Sequence, residues 1–184
     1  MRILFLLLCI FLITGCGTTT SPKAKNEPEH VKTDLRSPEK KFIEDKMDSL
    51  IKSTSSLIDL TWKTTVSDSV DNFQFGLLSA ESTVSDLELS KKQFNNKIKE
   101  IENFKIPNEL DFKDEANLFI SETLKSLSNA IQGRIDIIDY LIESVNANEV
   151  NEKTAQDIES RLIVSNASLQ LAAKSYGLVF ENVD

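Results

Sequence analysis

Few residues in this 184-residue chain could do covalent or acid–base chemistry: it has two cysteines and one histidine. Cys16 follows an unbroken apolar run, as half a disulfide, a nucleophile or a point of attachment. A nucleophilic thiol needs a base beside it, and His30 lies in a polar, proline-containing stretch that is poorly suited to hold one. Ser37-Pro38-Glu39-Lys40 and Ser49-Leu50-Ile51-Lys52 match the S-x-x-K nucleophile pattern. Neither has the S-D-N or K-T-G companions that make the pattern specific, and Ser37 suits a helix cap. Asp136 with Asp139, and Glu44 with Asp48, could serve as paired carboxylates, but their spacing is that of neighbours on a solvated helix face rather than groups across a cleft. The sequence offers no Cys/His cluster for a metal, and its acids are not spaced as a calcium loop. The expectation is no catalytic set, no metal and no cofactor, hence not an enzyme.

What precedes Cys16 points to attachment. Met1-Arg2 is followed by Ile3 to Ile13, eleven apolar residues, too few for the roughly 20 that span a bilayer. A charged start, a short apolar core and small residues form a secretory signal pattern. The run ends Ile13-Thr14-Gly15-Cys16, which resembles the lipobox of bacterial lipoproteins. In that family the cysteine sulfur receives a diacylglyceryl group and the chain is cut just before it. The resemblance implies cleavage between Gly15 and Cys16, with Cys16 as the lipidated first residue of the mature chain. Cys9 would leave with residues 1–15, so no intramolecular disulfide could form. Two acyl chains anchor stably where one is marginal.

Residues 16–37 then read as a lipidated cysteine and tether. Residues 17–37 hold two prolines and almost no large apolar side chain, too little burial to offset ordering. A coil of that length reaches roughly 25 Å. Without residues 1–15, which contain Arg2 and no acid, the formal charge of −8 becomes −9. Residues 17–37 carry four bases against three acids, which leaves −10 on residues 38–184. Such a body is repelled by nucleic acid and by anionic headgroups.

From residue 38 the pattern is helical, and residues 38–184 are expected to form one all-α, elongated antiparallel bundle of about four helices. Ser37-Pro38-Glu39 supplies a capping hydroxyl, proline at the first position and an early acid. Met47, Ile51, Ile58, Trp62, Val66, Val70, Phe73 and Leu77 share a face. A second register runs at alternating four- and three-residue steps through Phe73, Leu77, Ala80, Val84, Leu87, Lys91, Phe94, Ile98 and Ile101, interrupted only by Lys91. Ile106-Pro107-Asn108 must turn. Ala116, Ile120, Leu124, Leu127, Ile131, Ile135, Ile138, Ile142 and Val145 line a third helix, and 146–151 a second turn. Ala155, Ile158, Leu162, Ser165, Leu169, Ala172 and Tyr176 line a fourth, with Lys174 and a left-handed stop at Gly177 closing it. Two places compete for the first hairpin. A break at 63–69 gives helices of roughly 27, 37, 39 and 26 residues that pair well. A break at 84–90 has a capping box, Ser90 with Gln93, and a staple of Leu89 on Phe94. Length matching favours the first. Trp62, Phe73, Phe94, Phe119 and Tyr140 are expected in the core, with Trp62 at the break as an exposed anchor the lesser alternative.

The expected function is a membrane-anchored surface lipoprotein, held at the extracytoplasmic face of the cell membrane, or at the outer membrane of a Gram-negative cell. It would act as a non-enzymatic interaction module with an envelope protein partner and no nucleic acid, a specific version being a mobile-element or prophage protein that excludes competing DNA. The alternative is a sensory or small-ligand-binding bundle, which predicts a polar-lined pocket between helices.

Overall fold

The computed structural model describes residues 36–183, so Gly15, Cys16 and the tether lie outside the described residues. The chain is an all-α bundle of four long helices, with no strand among the described residues. We label them α1 (residues 38–74), α2 (Ala80–Glu102), α3 (Asp114–Asn146) and α4 (Glu152–Glu181). Ser37 caps α1, its hydroxyl accepting from the Lys40 amide, and Pro38 opens the first turn.

The first hairpin falls at neither expected place. It lies at residues 75–79, where Gly76 takes φ +70° and ends α1. The Leu77 amide donates to the Asn72 carbonyl and the Gly76 amide to that of Phe73, the paired bonds of a Schellman close. Ser79 starts α2 by accepting from the Ser82 amide. The 84–90 alternative fails because Ser90 is buried in mid-helix with its hydroxyl on the Asp86 carbonyl. Leu89 is exposed there and staples nothing.

The 63–69 alternative fails more instructively. There α1 does not break but widens into a π-helical stretch, Trp62–Ser67, matched by an earlier one at Ile43–Met47. Ile58, Trp62, Val66 and Val70 follow at four-residue steps, which overshoot a 3.6-residue turn and would wind off one face. A locally wider turn keeps Ile58 and Val66 buried, with Trp62 and Val70 packed against the same core. The β-branched Thr64, Thr65 and Val66 weaken ordinary helix preference at this point.

α3 is the central helix. Ala130, Ile131, Arg134, Ile135, Ile137, Ile138 and Leu141 are all buried, so successive faces meet different neighbours, α4 most closely and α2 next. The connection 103–113 turns through Pro107, whose carbonyl accepts from the Leu110 amide. α3 closes like α1, with Asn148 at φ +55°, the Glu149 amide on the Ser144 carbonyl, and that of Asn148 on Val145. Asn151 then starts α4 through a reciprocal capping box with Thr154. α4 does not stop at Gly177, which is helical; the helix runs on to Glu181 because Val179 is buried against Ile43 and Met47.

Two glycine substitutions should have opposite signs. Gly76→Ala forces a Cβ into the left-handed region and should cost about 1 kcal/mol, with the hairpin otherwise intact. At Gly177 an added Cβ meets nothing within 4 Å, so Gly177→Ala should gain about 0.5–1 kcal/mol in helix preference. Urea unfolding of both variants measures the difference.

Candidate functional site

Among the described residues, the side chains considered above for catalysis do not assemble; Cys16 and His30 lie outside them. Ser37 is occupied as a cap. Ser49 is exposed, and the Lys52 ammonium pairs with Asp48 at 2.6 Å. Asp136 accepts from Gln132 and Asp139 from Lys91 at 2.5 Å, while Glu44 pairs with Arg36. Among the described residues no group of three His, Cys, Asp or Glu side chains is placed to hold a metal.

Two other features stand out. The first is a buried cation on α3, Arg134, only 6% exposed. It sits beside a close helix crossing, where a Cβ on Gly133 would meet the Ser165 Cβ at 3.0 Å. The Ser165 hydroxyl donates across that crossing to the Ala130 carbonyl at 2.8 Å. One residue further along, the Arg134 side chain reaches between α1 and α4. Its Nη2 donates to Asn166 Oδ1 at 2.7 Å, its guanidinium lies 4.7 Å from the centre of the Trp62 ring, and its Nε is buried with no partner. Trp62 is therefore half-buried and roofed by the arginine, not an exposed anchor at a break. Burial pushes the Arg134 pKa down to about 10, opposed by Asp59. The group stays charged at neutral pH, stabilised by the ring and one hydrogen bond.

The second feature is the end of the bundle away from residue 36. Both hairpins that turn there, 75–79 and 147–151, are fixed by caps, and the Gln74 amide joins them by donating to the Val150 carbonyl at 3.5 Å. Phe75 and Leu77 project from this end, 78% and 71% exposed. Charge is also polarised toward it. Residues 64–90 contain five acids and no Lys or Arg, and residues 135–160 contain seven acids against Lys153. Some of these are engaged: Ser69 donates to Asp86 at 2.7 Å and Tyr140 to Asp157 at 2.9 Å. Burial, with Asp68 nearby, holds the Asp71 carboxyl above its ordinary range.

The sequence carried signals for the second feature. Gly76 is the one Gly or Pro between Pro38 and Pro107, and the absence of any base over 64–90 is visible by inspection. Arg134 gave no such signal, since a lone arginine in a helical pattern reads as surface. No match to this chain is found among protein-family models, curated proteins or solved structures.

A buried cation without a carboxylate partner costs stability. Arg134 has a folded-state pKa below its unfolded value, so at neutral pH the unfolded chain holds that proton more favourably. Arg134→Met keeps the apolar stem and removes the charge. It should leave stability unchanged or raise it by about 1 kcal/mol, read by urea unfolding at neutral pH. A loss above about 2 kcal/mol would show that the Trp62 and Asn166 contacts outweigh desolvation.

Proposed function

We propose that this chain is a lipid-anchored, non-enzymatic interaction module of a bacterial cell envelope, cleaved between Gly15 and Cys16 and acylated on Cys16. The observation that carries the reading is Ile13-Thr14-Gly15-Cys16 directly after eleven apolar residues. Two features of the folded part support the interaction-module reading. Residue 36 joins the bundle at the end opposite Phe75 and Leu77, and that pair is uncovered. The interior hydroxyls of Thr54, Ser90, Thr123 and Ser144 are tied to carbonyls one turn back on their own helices, so these polar groups are spent within the bundle rather than turned to a ligand. The partner is a protein of the same envelope, met at the extracytoplasmic face.

Cys16→Ala should abolish incorporation of labelled palmitate and leave the precursor uncut, while the helical circular dichroism of residues 36–183 stays unchanged. Normal maturation and labelling of that variant would sink the anchoring claim. Crosslinking of the lipidated protein in cells, with identification of the adducts, tests the partner.

A further inference from the structure

Phe75 and Leu77 are the two most exposed large apolar side chains among the described residues. Their exposure does not come from a slack loop. The Leu77 and Gly76 amides are both bonded back to α1, and Ser79 anchors the following turn. Side chains held out by a fixed backbone lose little freedom when covered, which leaves more of the contact energy for binding.

Charge decides what can cover them. The hairpins at this end are fed by the two acid-rich stretches, 64–90 and 135–160, with Lys153 as their single base. An anionic bilayer would be repelled as the tip approached. A second copy meeting the first tip to tip would bring like charge against like charge. A cationic polypeptide is drawn to the same field, and complementary charge raises its encounter rate and selects it over neutral competitors.

We propose that the Phe75–Leu77 tip is a docking surface for a cationic amphipathic segment of a partner protein, its Lys and Arg side chains set around one or two apolar residues that cover Phe75 and Leu77. The acids steer the segment in, and the apolar pair holds it. This rests on the interaction-module reading above and gives that module's partner a chemistry.

Two measurements test it. The full-length lipidated protein in zwitterionic nanodiscs is titrated with a labelled Lys/Leu amphipathic peptide of about 18 residues, with empty nanodiscs as the blank. Binding should weaken about tenfold or more between low and high salt, and about tenfold in a Phe75→Ser, Leu77→Ser double variant whose helical content is unchanged. A Glu/Leu peptide of the same pattern should not bind. Equal binding by the double variant, or by the acidic peptide, overturns the proposal. In cells, a photoreactive residue replacing Leu77 should form adducts with a basic segment of an envelope protein. Adducts at that position with lipid, or with a second copy, overturn the proposal. Protein adducts from position 171 on α4 but none from position 77 also overturn it while sparing the interaction-module reading, whereas no protein adduct from either position overturns both.

Discussion

The packing hinges on the place where Gly133 lets α3 lie against Ser165 of α4. A single Cβ at Gly133 would press on Ser165 at 3.0 Å, and the serine hydroxyl bonds to the Ala130 backbone within the same contact. With α4 drawn in so closely, α3 becomes the helix that everything else covers, buried on successive faces from Ala116 to Val145. The space between α1 and α4 beside this crossing is then filled by long side chains. Arg134 and Trp62 do this in mid-bundle, and Met47, Tyr176 and Val179 near the C-terminal end of α4. There the Tyr176 ring stacks edge-on with Phe180. Burial, with Asp48 and Glu44 nearby, pushes its hydroxyl above the ordinary range for ionisation.

Where periodicity was unambiguous, the sequence pattern and the fold agree closely. Every position expected along the α3 face is buried or half-buried, and so is every position of the α4 seam from Ala155 to Tyr176. Lys91, the one interruption in the α2 seam, sits at the edge and reaches out to Asp139. Where the two differ, tertiary contacts and turn geometry override the local signal. Length matching draws the hairpin to 63–69 and leaves Gly76 inside a helix, yet its left-handed φ ends α1. Gly177 looked like a stop and is helical, because Val179 beyond it has a core to fill. At 62–67 the disturbance was real and its kind was not legible, since a π turn and a hairpin start from the same poor helix formers.

The two ends of the bundle differ in character. The end near residue 36 holds a second, aromatic-rich core in which Phe42 meets Phe104 and Phe112, and lysines are interspersed with acids around it. The opposite end is acidic, tightly capped and tipped with two uncovered apolar side chains. Ordinary stability does not require that arrangement, because a polar residue at 75 or 77 would satisfy the same turn. The interior shows no comparable excess. Apart from the Arg134 Nε, no buried side-chain nitrogen or oxygen among the described residues lacks a partner.

The π turns of α1 also bear on how the chain can change length. In an ordinary helix, deleting one residue rotates everything beyond it by about 100° relative to what precedes it. A π turn already contains the surplus residue. Loss of one position within Trp62–Ser67 would let the backbone relax to α-helical winding while Val70, Phe73 and the hairpin beyond keep their facing. Ile43–Met47 offers the same slack near the start of the helix. Deletions in α1 should therefore be tolerated at these two places and nowhere between them.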